Sequence, residues 1–513
     1  MAAALHFDQH KTLGDLLPDI AVPQAQLPVT GLAIDSRRVR AGELFLAYPG
    51  EHVDGRLFVD QAVARGAVAI VAESGFERSD LPIPVIRIPH LRAQVSRIAA
   101  RFFDHPAQAI NVIGVTGTNG KTSCTQLIAQ ALRLLGKPCG AIGTLGNSLD
   151  NKIDGGGLTT PDPIALLAQL AQWRDQGVQH VAMEVSSHGL VQGRVSGVNF
   201  RGAVFTNLSR DHLDFHRTME NYGAAKALLF DMPGLEFAVL NRDDSFGALL
   251  ANKLRARLPV IDYSLRNESS LRNDSSLRDA AAVAIKAAQF HNDGVRATVI
   301  TPWGEIIAHS HLLGDFNLSN LLAVIAVLGQ LQVAPGDIAA LLPKLNPIAG
   351  RMQRVAVDRD IEVVVDYAHT PAALEHALAA LRRHCRGQLW CVFGCGGDRD
   401  AGKRPLMGAI AARLSDRVVL TSDNPRSENP QTILDNIAAG IDADAATRVT
   451  IESDRAAAIA FAVRQAQAGD IVLLAGKGHE DYQLVGAEIR PFNDVMVARA
   501  ALFARGAAAG ERA

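Results

Sequence analysis

The sequence predicts an α/β protein of three domains built on parallel sheets, and three observations predict it. Short apolar runs alternate with helix-like segments along the chain, the pattern of strands joined by crossover helices. A glycine-rich turn, "GVTGTNGKT" from Gly114 to Thr122, joins a β-rich run to a helical one. Beyond Gly350, four apolar runs each end in a polar cluster: "EVVVDYAHT", "LWCVFGCGGDRD", "RVVLTSDNPRSENP" and "IVLLAGKGHEDYQ". Open parallel sheets place ligands beyond the carboxyl ends of their strands, so four such ends point to a built site.

Composition bounds the function. At 513 residues the chain has room for two to four domains. Apolar residues make up 48% and charged residues 20%, enough for ordinary cores. A net charge of -2 gives no basic field for nucleic acid. No apolar run is long enough for a bilayer, and "MAAALHFDQHKTLGDLLPDI" lacks the charged head and apolar stretch of a signal peptide. The five cysteines, Cys124, Cys139, Cys385, Cys391 and Cys395, have no zinc spacing and read as reduced thiols of a cytoplasmic protein.

The elements follow in order. Residues 1–105 carry "LFLAY", "AVAIVA" and "PVIRI" with helix-like "DGRLFVDQAVARG" among them, a small α/β domain. Residues 106–347 open with "INVIGVTG", the glycine turn and "KTSCTQLIAQALRLLG", a helix that stops at glycine. "HVAMEV", "GAVFTN" and "EFAVLN" add strands, giving a central P-loop-type, doubly wound, mostly parallel sheet. Residues 348–513 hold the four polar-ended strands of a Rossmann-like domain. The segment "SLRNESSLRNDSSLRDA", from Ser264, repeats a six-residue unit and reads as a surface loop enlarged by duplication.

A G-x-x-x-x-G-K-[ST] loop would place glycine at position 115, where Val115 stands; Gly114 lies one residue earlier. The chemistry is nevertheless present. Backbone N–H groups around Gly117 and Gly120 can cradle phosphate, Lys121 supplies a cation, and the Thr122 hydroxyl suits Mg²⁺. A nucleotide-driven switch or transport ATPase would use the same loop without an acceptor pocket, and the four polar strand ends weigh against it.

"GVTGTNGKT" resembles the ATP loop of the Mur ligases, which build the peptide stem of bacterial cell-wall precursors. "DSRRVRAGELFLAYPGEHVDGR" is similar to that family's N-terminal UDP-sugar module. "TTPDP", "MEVSSHGL", "TNLSRDHLDFH", "NYGAAKALLF", "GDFNLSN", "DYAHTP", "GCGGDRD", "SDNPR" and "GKGHE" follow in the family's order, so the resemblance covers nearly the whole chain. Folylpolyglutamate-synthetase-like ligases share the central architecture, but the N-terminal block argues against them. The resemblance implies an ATP- and Mg²⁺-dependent amide ligase of peptidoglycan synthesis. Its implied reaction adds meso-diaminopimelate to the D-glutamate of UDP-N-acetylmuramoyl-L-alanyl-D-glutamate through an acyl phosphate. It further implies small-molecule partners, a monomer, and ATP held between the second and third domains, with closure of the third.

Site residues are carried by the same resemblance. Lys121, Glu184, His212 and Lys226 match catalytic positions, and Thr122, Glu184, His212 and a carbamylated Lys226 match metal-holding ones. Glu184 ends a strand-like run and suits a hard cation, whereas "DHLDFH" also reads as a polar helix start and Lys226 as a surface lysine. ATP is matched by Gly117, Thr118, Asn119, Gly120, Lys121, Thr122, Asn317, Asn320, Arg351 and Asp366. The muramoyl dipeptide is matched by Ser36 with Arg37, by Glu51, His52 and Val53, and by Thr159, Thr160, Ser187, Gln192 and Arg194. Diaminopimelate is matched by Arg399, Asp423, Asn424, Pro425, Arg426, Gly476 and Glu480. This amino acid differs from lysine by a far-end carboxylate, and the Arg426 fork can pair with it and reject lysine. Read alone, "SDNPR" is also a plain proline turn.

Overall fold

The computed structural model describes residues 11–510 except 23, 52, 79, 150–151, 155–157, 268–281, 292 and 356–359. Two compact units result. One takes residues 1–284, 301–304 and 320–334, and the other takes 285–300, 305–319 and 335–513.

The first unit holds a two-stranded antiparallel pair, Lys11–Thr12 with Pro28–Val29, and two larger sheets. Strands Gly31–Ala33, Glu43–Ala47, Ala69–Glu73 and Val85–Ile88 pair in that order, all parallel. Side chains alternate across this sheet: Leu44, Leu46, Val71 and Ile86 enter one core, and Phe45, Ala47, Ile70 and Ala72 another. Covering both faces explains why "LFLAY" and "AVAIVA" are apolar without a break.

The larger sheet runs Lys152–Asp154, Gly146–Leu149, Cys139–Gly143, His180–Glu184, Asn111–Thr116, Phe200–Phe205, Phe237–Asn241, Val260–Asn267. The last six of these run parallel to one another, and Cys139–Gly143 pairs antiparallel with Gly146–Leu149 on its other side. The first two form an antiparallel hairpin that the sequence reading did not foresee. Register puts Glu184 opposite Val115 and Phe205 opposite Thr116, so three carboxyl ends meet beside the glycine turn. That is where a doubly wound sheet presents its ligands. Strands Ala282–His291, Gly294–Thr301 and Gly304–Ser310 lie next to one another in sequence order and precede helix Asp315–Gln330. Of the repeated segment, Ser264–Asn267 ends a strand, and residues 268–279 lie outside the described residues.

The second unit carries strands Gln353–Arg354, Glu362–Asp366, Ile471–Ala475, Leu389–Phe393, Arg417–Leu420 and Val449–Ile451 in that order. Only its first pair is antiparallel. Helices Pro371–Arg382 and Lys403–Leu414 cover one face through Leu374, Leu378, Met407 and Ala411. Helices Arg455–Gln465 and Asp494–Gly510 cover the other through Ile459, Val463, Ala498 and Leu502. All four apolar runs read from the sequence are therefore buried, parallel strands whose polar ends share one edge. An added antiparallel hairpin, Tyr482–Val485 with Glu488–Pro491, follows the last of them.

Candidate functional site

The glycine turn explains the displaced glycine. Gly114 sits inside strand Asn111–Thr116, and a Cβ there would meet the Phe200 ring at 2.9 Å and Leu229 at 3.1 Å. It serves sheet-to-helix packing, and Val115 is a fully buried strand residue. The turn itself begins at Gly117, with φ +145°, where a Cβ would fall 1.8 Å from Thr206 Oγ1. Gly120, at φ +84°, precedes helix Lys121–Leu134 and lies against Asn320. Both glycines are thus required by geometry, and the turn opens onto the positive end of that helix.

Neighbouring strand ends hold the turn in shape. Thr118 N donates to Asn207 O (2.8 Å), Asn119 N to Asn207 Oδ1 (2.9 Å), and the Thr206 hydroxyl to Asn119 O (2.6 Å). Lys121 Nζ folds back onto Gly117 O (2.9 Å) and Thr118 O (2.8 Å). Asn320 Oδ1 accepts from Cys124 Sγ (3.4 Å), and Asn317 Nδ2 donates to Leu313 O (2.8 Å). Both asparagines are buried within helix Asp315–Gln330.

The groups singled out as metal-holding gather around this turn. Glu184 is buried, and its carboxylate accepts from the Thr122 hydroxyl (3.0 Å), Thr144 N (2.8 Å) and the Thr144 hydroxyl (3.1 Å). Lys226 is 1% exposed, which removes the surface-lysine reading. Its Nζ donates to Gly117 O (2.6 Å) and lies 4.2 Å above the Tyr222 ring. Burial, then the Lys121 ammonium, push the Lys226 amine well below the usual lysine range, against a weaker pull from Asp211. His212 adopts φ +51° just before helix Leu213–His216, and its ring stands 4.9 Å from His188 and 6.1 Å from Tyr222. The polar helix start read from "DHLDFH" is real, and it carries His212 to the same aromatic cluster as Lys226. An oxygen pair from Thr122 and Glu184, beside a glycine turn packed too closely on Thr206 and Asn320 for any Cβ, fits a nucleotide with a hard cation.

The residues matched to the dipeptide connect to Glu184. Thr144 and Thr159 hydroxyls are 3.1 Å apart, and the Thr160 hydroxyl donates to Glu184 O (3.0 Å). Arg194 donates to Thr160 O (2.7 Å), and Ser187 Oγ meets His216 Nε2 at 2.9 Å. Gln192 Nε2 bonds the Glu51 carboxylate, which also faces Arg92 at 3.5 Å. These last residues border a cleft of about 300 Å³ lined by Pro49, Glu73, His90, Arg92, Val191 and Gln192. Ser36 is engaged elsewhere: its buried hydroxyl donates to Gln61 Oε1 (2.7 Å). Arg37 forks onto Asp35 (3.0 and 2.8 Å), and Val53 is 57% exposed. His52 lies outside the described residues.

In the second unit, Arg426 takes φ +51°, held by Arg426 N donating to Leu484 O (3.0 Å) and Gly486 N to Arg426 O (2.7 Å). Its guanidinium donates to Gly397 O (2.8 Å). A Cβ on Gly396 would lie 2.8 Å from that guanidinium and 3.7 Å from Arg399 Cγ, so the two arginines flank one glycine. Asn424 Nδ2 donates to Glu480 Oε2 (2.9 Å), and Asp423 lies buried against Gly476, whose φ is +114°. Pro425 is buried between Asn424 and Arg426. The "SDNPR" turn is thus built into a polar cluster. Separately, Arg351 stacks on Tyr367 (4.9 Å), and the Asp366 carboxylate accepts from Met352 N (2.8 Å).

Sequence reasoning passed over Thr144, Thr206, Asn207, Tyr222 and His216. Thr206 and Asn207 stand in the quoted "TNLSRDHLDFH" and follow a strand, which was a usable signal. Thr144 had none.

Comparison with known proteins agrees along the chain. Residues 28–103 match "Mur ligase family, catalytic domain", 115–328 "Mur ligase middle domain", and 350–478 "Mur ligase, glutamate ligase domain". A UDP-N-acetylmuramoyl-L-alanyl-D-glutamate–2,6-diaminopimelate ligase of Ectopseudomonas mendocina is 49% identical over 96% of this chain and 98% of its own. A protein of the same name from Pseudomonas aeruginosa is 50% identical over 94% and 97%. A solved structure of that name aligns at a TM-score of 0.74 and 36% identity, covering 97% of this chain and 99% of its own. The three-domain α/β architecture and these matches together show that the chain belongs to the Mur ligase family.

Proposed function

We propose that the chain uses ATP to join meso-diaminopimelate to the D-glutamate carboxylate of UDP-N-acetylmuramoyl-L-alanyl-D-glutamate, a step of peptidoglycan precursor synthesis. The observation that carries the reading is the convergence on one phosphate turn of buried Glu184, through Thr122, and buried Lys226, through Gly117 O. Such a site suits the activation of a carboxylate, which is a poor electrophile until phosphorylated.

The chemistry assigns the tasks. Two anions, the γ-phosphate and the substrate carboxylate, must be brought face to face, so catalysis is chiefly positioning and charge neutralisation. Backbone N–H groups where the turn enters helix Lys121–Leu134 hold phosphate oxygens, and Lys121 leaves its loop carbonyls to neutralise the outer phosphates. Thr122, Glu184, His212 and Lys226 would hold Mg²⁺, which supplies charge neutralisation at the transferring phosphoryl group. Lys226 fits as a carbamate: burial favours its neutral amine, which adds to carbon dioxide, releases one N–H proton to solvent and becomes an anion. Asn317, Asn320, Arg351 and Asp366 serve the rest of the nucleotide. The cleft beside Gln192, with Thr159, Thr160, Ser187 and Arg194, takes the UDP-muramoyl arm. Arg399 and Arg426 receive the far carboxylate of the incoming amino acid, and Glu480 with the Gly476 carbonyl its far ammonium.

The reading divides the chain at 105 and 347 into UDP-sugar, ATP and amino-acid domains, and has it act as a cytoplasmic monomer. Among the described residues no helix is long and apolar enough to cross a membrane. The test is phosphate release from ATP. It should require both the muramoyl dipeptide and an amino acid, and in an amino-acid panel diaminopimelate should be preferred. Preference for lysine overturns the pocket assignment, and phosphate release without either partner overturns the ligase reading.

A further inference from the structure

Lys477 follows the last polar-ended strand and is 0% exposed. A buried ammonium is costly unless paired, so its partners define its task. Nζ donates to Glu480 Oε2 (3.1 Å) and to Asn424 Oδ1 (3.2 Å). Asn424 Nδ2 closes the triangle on the same Glu480 Oε2 (2.9 Å). Asn424 Oδ1 also accepts from Leu484 N (3.0 Å), and Leu484 O accepts from Arg426 N (3.0 Å). The same ammonium therefore stands behind Glu480 directly and behind the hairpin that holds the Arg426 backbone.

We propose that Lys477 is a positioning residue that sets selectivity for the far, amino-bearing end of the incoming amino acid. By gathering two donors onto Oε2, it turns Glu480 into a fixed carboxylate whose Oε1 receives the substrate's distal ammonium. Asn424 relays the same constraint to Arg426, so the ammonium-binding and carboxylate-binding groups are set at a fixed separation. Lys477 touches no substrate atom. Its ammonium keeps Glu480 from swinging to follow a ligand, and a pre-set acceptor discriminates better than a mobile one. This inference rests on the diaminopimelate reading above.

The test is competition in one reaction between meso-diaminopimelate and 2-aminopimelate, which keeps the far carboxylate and lacks the far ammonium. The product ratio reports relative kcat/KM and is independent of how much enzyme is folded. Wild type should favour diaminopimelate. Lys477→Met should shrink that preference by about 10- to 100-fold, the size of a lost charged hydrogen bond, with KM for ATP unchanged. Glu480→Gln should shrink it similarly, and the double variant no further than Glu480→Gln alone, because the two act as one unit. An unchanged ratio in Lys477→Met, or additive losses in the double variant, overturns the inference while leaving the reaction intact. A wild type that uses neither amino acid overturns the underlying reading instead.

Discussion

Alanine at two glycines three residues apart should separate the phosphate turn from the strand that carries it. At Gly117, φ is +145° and a Cβ would fall 1.8 Å from Thr206 Oγ1 and 3.0 Å from Asn207 N. The Thr206 hydroxyl cannot yield freely, since it donates to Asn119 O within the turn (2.6 Å). The backbone strain is of order 1–3 kcal/mol, and if it is relieved by distorting the turn, nucleotide affinity falls roughly 5- to 150-fold. At Gly114 the added methyl meets the Phe200 ring at 2.9 Å and Leu229 at 3.1 Å, inside the core. Overpacking there costs about 1–3 kcal/mol of folding stability and leaves the turn alone.

Calorimetric titration with ADP and denaturant unfolding read the two effects separately. Gly117→Ala should weaken the nucleotide with a small change in unfolding midpoint, and adding Thr206→Ala should recover part of the loss. Gly114→Ala should lower the midpoint with near-normal affinity. If Gly114→Ala weakened ADP as much as Gly117→Ala, at an unchanged midpoint, Gly114 would belong to the phosphate site and the assignment made here would be wrong.

Three further outcomes are expected. Arg426→Ala should raise KM for diaminopimelate by about 10- to 100-fold, the loss of a charged fork, with KM for ATP unmoved; steady-state kinetics with each substrate varied decide it. Stripping dissolved carbon dioxide should slow the wild type and bicarbonate restore it, whereas Lys226→Met should be slow in both; a wild type indifferent to bicarbonate removes the carbamate. His180 is buried, its Nδ1 has no partner among the described residues, and burial, then Lys137 and Arg201, lower its pKa from 6.5 to about 4. Above pH 6.5 folded and unfolded chains are both neutral there. As pH falls to about 4 only the unfolded chain takes the proton, so stability drops by up to about 3 kcal/mol. His180→Leu should flatten that acid limb in unfolding measured against pH, and an unchanged limb would place the proton uptake elsewhere.

What the sequence made legible follows from periodicity. Parallel strands buried on both faces read as unbroken apolar runs, so most strands that end at a candidate site were found; Cys139–Gly143, which runs into Thr144 beside Glu184, was not, since its glycines weaken the apolar run. The hairpin at Gly146–Leu149, on the edge of its sheet, and the separate two-stranded hairpin at Tyr482–Val485 were not found either, because neither is buried on both faces. The phosphate turn was legible because its glycines answer to backbone geometry. Glu184 was legible because it ends a strand. Arg426 needed the resemblance, since nothing in "SDNPR" alone distinguishes a ligand arm from a proline turn.

Lys226 is the instructive miss. Read alone it passed for a surface lysine, yet its helical neighbours argue otherwise. Tyr222 at i−4, Leu229 at i+3 and Phe230 at i+4 share its face, and all are 0–1% exposed. A single lysine inside an apolar stripe cannot reach water without unpacking the stripe, so its burial follows from spacing alone. What spacing cannot supply is the partner that makes such burial tolerable. Here it is the Gly117 carbonyl, 109 residues away in the chain, brought close only by the crossover that sets strand Phe200–Phe205 beside Asn111–Thr116. A lysine so placed, with another ammonium nearby and, among the described residues, no carboxylate bonded to it, is chemically unfinished. Its conversion to an anion would remove the repulsion from Lys121 and complete an oxygen-rich set with Glu184 and Thr122, which is why the bicarbonate experiment bears on the whole site and not on one side chain.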